Sequence, residues 1–253
     1  VSGQENGFAQ TQNQRASGVG EFSLGALLRP LRAFWEPAKV FQEIAGKPTL
    51  FWVLLLQAAM VLGVQWVVAP RLDMEATILQ SMEQRGHQIT PERLAEAVQG
   101  AQRFSTLRLV LSPLASVAIL ALLAGLYFLA AKAAGSDAEY QPLFSAIAHA
   151  SFPPSFVASA IFAVVASARR SFAAQEIPRL VKSNLAALLP EGAPAFFRGV
   201  AGVVDVFNVW YWVLLVMALV TVGGLRRSQA VGIVALFWGL WAVLQGIAAG
   251  LWG

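Results

Sequence analysis

Residues 109–131 read LVLSPLASVAILALLAGLYFLAA, 23 positions without an Asp, Glu, Lys or Arg. A bilayer core of roughly 30 Å needs about 20 apolar residues at the helical rise. Four further stretches meet that requirement, at 48–70, 140–168, 206–225 and 228–253, and the shortest of the five is 20 residues long. Only structures that close their own backbone hydrogen bonds survive in hydrocarbon. The pattern therefore predicts an all-α, polytopic transmembrane helical bundle with five spans, at about 48–70, 107–131, 143–168, 203–222 and 230–252.

Composition agrees. Hydrophobic residues make up 57% of the 253 positions and charged residues 13%, against about 25% charged in an ordinary soluble domain. The net charge of +4 on such a chain points to anionic lipid head groups and not to nucleic acid. With no cysteine, disulfides and thiolate chemistry are excluded. His87 and His149 are the only histidines, too few for a classical zinc site, and no cofactor is expected.

Outside the spans, residues 1–21 read as a disordered polar tail without the pattern of a cleaved leader. Residues 22–47 mix Leu24, Leu28, Leu31, Phe34, Trp35, Val40, Phe41 and Ile44 with Arg29, Arg32, Glu36, Lys39 and Glu43. That mixture predicts an amphipathic segment lying in the interface plane, bent at Pro30 and Pro37. The transmembrane domain then occupies 48–253, with helical extramembrane loops at 71–106 and 169–202. Thr90-Pro91-Glu92-Arg93 starts a helix in the first loop, and a second amphipathic helix is predicted at about 172–189. Pro153-Pro154 predicts a kink or local break in the third span. The seven residues Gly223–Gln229 make spans four and five an antiparallel hairpin.

Five spans put the termini on opposite sides of the membrane. With the N-terminus inside, inner segments hold 8 basic residues and outer segments 10. The tightest loops, carrying Lys132 and Arg226-Arg227, favour a cytoplasmic N-terminus.

Span five carries a regular seam. Gly232, Gly239, Gly246 and Gly253 recur every seven residues, with Ala235, Ala242 and Ala249 between them and Gly250 adding a Gly-x-x-x-Gly pair. Small seams let helix backbones approach closely in lipid. Two readings stay open: contact within the chain, or an interface with a second copy or another membrane protein. Span three holds Ser151, Ser155 and Ser159 on one row, either as interhelical glue or as a polar wall. His149 in span three and Asp205 at the start of span four are intramembrane ionisable groups and thus functional candidates. Asp205 also suits a helix cap, and His149 a bond to a nearby carbonyl. No His-Glu-x-x-His, Gly-x-Ser-x-Gly or phosphate-cradling loop occurs, so no enzyme activity is expected.

Several stretches resemble the Yip1 domain family. They are Phe34-Trp35-Glu36-Pro37-Ala38-Lys39-Val40-Phe41 with Ile44 and Lys47-Pro48, and Ala148-His149-Ala150-Ser151. Val204-Asp205-Val206-Phe207-Asn208-Val209-Trp210 and Gly223-Gly224-Leu225-Arg226-Arg227-Ser228-Gln229-Ala230 complete the set. Together they cover about 25–253 and resemble its bacterial five-span branch. The resemblance implies a cytoplasmic N-terminus, five spans and residence in the bacterial inner membrane. Eukaryotic relatives bind Rab-type GTPases in membrane trafficking, but the Asp-Leu-Tyr-Gly-Pro motif associated with them is missing here. The family supplies no catalytic residues; His149, Asp205 and Trp210 fall on its motif positions.

The sequence thus predicts a non-catalytic scaffold or accessory subunit whose partners are membrane lipids and other integral membrane proteins or itself. Small-solute or ion transport through the third span, and lipid handling, are the alternatives.

Overall fold

The computed structural model describes residues 23–190 and 192–252. The predicted polar tail at 1–21 and Gly253 of the predicted seam lie outside them. Ten α-helices are described: α1 Leu24–Arg32, α2 Pro37–Gly46, α3 Phe51–Val68, α4 Met74–Gln84, α5 Pro91–Ala133, α6 Tyr140–Ser167, α7 Ile177–Leu180, α8 Ala195–Val203, α9 Val206–Thr221 and α10 Arg227–Trp252. Among the described residues there is no β-strand, only isolated bridges Leu72–Phe172 and Asn184–Asp205. Four helical segments are long and apolar enough to cross a membrane, Phe51–Arg71, Leu107–Ala133, Tyr140–Ser167 and Arg227–Leu251. The shorter apolar helix α9 accompanies them. This is an all-α membrane bundle.

The contacts divide the chain into two compact units. The larger comprises 23–56, 119–155 and 184–252 of the described residues. Its core joins Val53 of α3, Ala124 and Tyr127 of α5, Leu143, Ile147 and Phe152 of α6, Leu215 and Leu219 of α9, and Ala230 and Val234 of α10. A second cluster sets Val40, Phe41 and Ile44 of α2 against Ala146 and Ala150 of α6 and Leu214 and Ala218 of α9. Helix α1 begins at Ser23, whose hydroxyl accepts from the Ala26 N–H, and Pro30 falls in its last turn. Pro37 opens α2, where its missing N–H costs nothing.

The smaller unit comprises Gln57–Ala118 and Phe156–Ser183. Val68, Ala166 and Phe172 form its core. Asp73 caps α4 by accepting from the Ala76 N–H, and its own N–H donates to the Phe172 carbonyl. The Thr77 hydroxyl accepts from the Ala174 N–H, which ties 172–176 to α4.

Local structure departs from the sequence reading at four places. The helix begun by Pro91 does not stop before span two but continues through Arg103 and Arg108 to Ala133. No strong breaker stands between 91 and 112, so helix propagates. The single helix predicted at 172–189 is replaced by short turns at Ala174–Glu176, Ile177–Leu180 and Leu185–Leu188. Pro178 cannot continue a helix entering from 172, and the Leu185 N–H goes to the Val204 carbonyl. Span one starts three residues late, at Phe51, because a serine of α6 engages both backbone groups of Thr49. Finally, of the kink or local break predicted at Pro153-Pro154, the break is absent: α6 is helical through both. Residues 143–150 and 152–154 are all buried, and that surrounding contact holds the helix across the lost backbone bonds.

Candidate functional site

The buried half of α6 carries two polar side chains one turn apart, Ser145 and His149. The Thr49 N–H donates to Ser145 Oγ at 3.2 Å, and that hydroxyl donates to the Thr49 carbonyl at 2.7 Å. His149 Nδ1 lies 2.8 Å from the Ser145 carbonyl. A carbonyl can only accept, so Nδ1 is the donor in this bond. Nε2 is buried with no hydrogen-bond partner among the described residues.

The chain leads outward from Thr49 to charges on α1 and α2. Arg29 Nη1 donates to the Lys47 carbonyl at 2.7 Å and to Thr49 Oγ1 at 3.2 Å, while its Nε donates to Glu43 Oε2 at 3.0 Å. The other Glu43 oxygen takes Arg32 at 2.9 Å, and Glu36 takes Lys39 at 2.7 Å. Burial pushes the Glu43 carboxyl up, but hydrogen bonds and charge from Arg32 and Arg29 outweigh it and hold the group below its ordinary range. The Glu43 hydrogen bond in turn raises Arg32. A continuous polar path therefore runs from exposed Lys39 through Glu36, Arg32, Glu43, Arg29, Thr49 and Ser145 to His149. The Arg32–Glu43 and Arg29–Glu43 pairs join α1 to α2, Arg29 ties α1 to Lys47 and Thr49 ahead of α3, and Ser145 ties Thr49 to α6. A cavity of about 390 Å³ opens nearby, lined in part by Pro48, Glu139 and Gln141.

Asp205 stands apart from this path. Its carboxylate accepts from the Phe207 and Asn208 N–H groups at 2.8 Å each, as the cap of α9. Asn208 Nδ2 donates to the same carboxylate at 2.9 Å and to the Val203 carbonyl at 3.0 Å. Its hydrogen bonds thus go to its own helix start and none to His149. Trp210, one turn on, meets Phe34 edge-on at 6.0 Å, and Phe34 meets Phe152 at 6.1 Å. Ser151 donates to the Ala148 carbonyl at 3.0 Å, while Ser155 and Ser159 are half-buried farther along α6.

The seam on α10 divides. A Cβ on Gly246 would come within 2.7 Å of the Phe196 ring of α8, and one on Gly199 of α8 within 2.8 Å of Ala249. Ala242 is buried. Gly246, Ala249 and Gly199 therefore make a close crossing inside the chain. Gly232, Gly239 and Gly250 have nothing within 4 Å of an added Cβ, and Ala235 borders an open apolar groove.

Sequence reasoning found His149 but not Arg29, Arg32, Glu43, Thr49 or Ser145. The usable signal was Ser145 and His149 at i and i+4.

The family model of the Yip1 domain matches residues 31–249. No curated protein and no solved structure matches the chain.

Proposed function

Since the chain belongs to the Yip1 domain family, we propose that it acts as a non-catalytic scaffold or accessory subunit that binds another integral membrane protein. We place it in the bacterial inner membrane with the N-terminus cytoplasmic, as the charges of the shortest loops favour. The observation that carries the reading is the open flank of α10, where Gly232, Gly239 and Gly250 alternate with exposed Leu236 and Val243. Small residues beside branched or long apolar ones suit close helix approach, and in lipid that contact supplies much of the association energy. The polar path fits this role as a fixed internal clamp.

Purification from the source membrane in a gentle detergent, with mass spectrometry of stoichiometric companions, tests it. A companion should be retained by the native chain and lost with Gly239→Leu, at a position where an added Cβ meets no neighbour. A native chain that runs alone, or a companion indifferent to Gly239→Leu and Gly232→Leu together, overturns the proposal.

One observation favours a second reading, transport of a small ion or solute: the unpartnered, buried Nε2 of His149 beside the proline pair. Flux in proteoliposomes that disappears with His149→Ala supports it, and flux unchanged in that variant removes His149 from any pathway.

A further inference from the structure

Helices α9 and α10, joined at the Gly223–Gly224 turn, flank an apolar groove of about 640 Å³. Its walls are Val213, Val216 and Val220 on α9 and Val231, Val234 and Trp238 on α10. Trp212 and Trp238, with ring centroids 4.9 Å apart, lie at its far end. The one charged residue lining it is Arg227, at the turn end. The Arg227 side chain is exposed and makes no hydrogen bond or ion pair among the described residues. No acidic residue lines the groove.

We propose that this groove is a binding site for one anionic phospholipid, with the head group on Arg227 and an acyl chain laid between α9 and α10 toward the tryptophan pair. Three properties favour this occupant. The first is charge: a lone cation over an apolar trough complements an anionic head joined to a hydrocarbon tail, and basic sites between membrane helices select anionic lipids. The positive end of the α10 dipole, at Arg227, adds to that field. The second is length. From Arg227 to Trp238 is eleven residues of helix, about 16 Å at 1.5 Å per residue, or half of a roughly 30 Å hydrocarbon core. The groove is thus one leaflet deep, which fits a lipid tail, whereas a crossing partner helix would need the full thickness. The third is size, since about 640 Å³ falls within the range of sites that enclose small apolar ligands. The site is distinct from the Gly232–Gly239 flank, which is turned about 100° around α10.

Native mass spectrometry of the full chain in detergent, titrated with dioleoyl-phosphatidylglycerol or dioleoyl-phosphatidylcholine, tests the proposal. The native chain should retain one phosphatidylglycerol in preference to phosphatidylcholine. Arg227→Gln should weaken phosphatidylglycerol about five-fold, the size expected for one basic residue at an anionic head group. Val216→Trp should fill the trough and abolish retention of both lipids. Arg198→Gln, on α8 beside the opposite end of α10, should change nothing. Equal retention of the two lipids by the native chain overturns the assignment, as does retention unaffected by Arg227→Gln. Should Val216→Trp fail to fold, Arg227→Gln decides alone, because that side chain is exposed and holds no described hydrogen bond or ion pair. A protein companion lost with Val216→Trp but indifferent to Arg227→Gln would assign the groove to a helix and overturn the lipid.

Discussion

Helices α6 and α10 look alike in the sequence and end up in opposite surroundings. Both are long, nearly charge-free and rich in small residues. Yet residues 143–150 of α6 are buried on every side, whereas α10 buries one face and leaves Leu236, Leu240, Leu244 and Leu251 exposed. Hydropathy decides whether a segment enters a membrane; it does not say whether lipid or protein surrounds it there. Polar spacing does better. Ser145 can sit in α6 because the Thr49 backbone just before α3 pairs with it, and the α6 backbone takes Nδ1 of His149; a lipid-facing position would offer neither hydroxyl nor ring a neighbour from another segment.

The sharpest way to break that contrast is to truncate both helices. Ile147→Ala removes a fully buried side chain of α6 and should cost about 2–4 kcal/mol, the usual range for such cavities. Leu251→Ala, at a position 72% exposed, should stay within about 0.5 kcal/mol. Reversible unfolding in mixed detergent would show whether the two differ; equal losses would mean that α10 is as enclosed as α6.

A finer test lies within α10. Gly246→Leu must displace Phe196 and Val200, at a cost of about 1–3 kcal/mol for an overfilled site. Gly239→Ala meets no neighbour and should stabilise by about 0.5–1 kcal/mol through helix propensity. Thermal midpoints moving in opposite directions would confirm that the seam divides between internal and open positions. Loss of the α9 cap in Asp205→Ala should cost about 1 kcal/mol, read in the same assay, with Asp205→Asn nearly restoring it.

The smallest effect is on pH. The depressed Glu43 contributes stability that is fully present above the ordinary glutamate range and is lost as pH falls through its lower folded value. Melting temperature should therefore drop below about pH 4, and most of that drop should vanish in Glu43→Gln.

The membrane class, the helical character and the family were legible because charge-free runs and short ordered motifs are local signals. The extent of α5 was less so, since Arg103 and Arg108 read as a boundary although no proline or glycine pair enforces one. The polar path was illegible for a different reason. Arg29 finds Glu43 at fourteen residues and Thr49 at twenty, and Thr49 finds Ser145 at ninety-six. No periodicity connects such partners; only the fold brings them together. His149 was visible as an oddity, but its role as the inner end of that path depends on Ser145, an ordinary residue in sequence.

Helix α9 has one more consequence. Its 16 residues span about 24 Å, some 6 Å less than a typical hydrocarbon core. Its Asp205–Asn208 cap satisfies the polar start within the chain, so that end tolerates a deeper position than an uncapped terminus. Were α9 to cross the membrane, the lipids beside it would have to shorten by tilting or disordering their tails, at fractions of a kcal/mol per Å. A dimple of this kind would draw together proteins that deform the bilayer in the same way, and would favour thin membranes over thick ones.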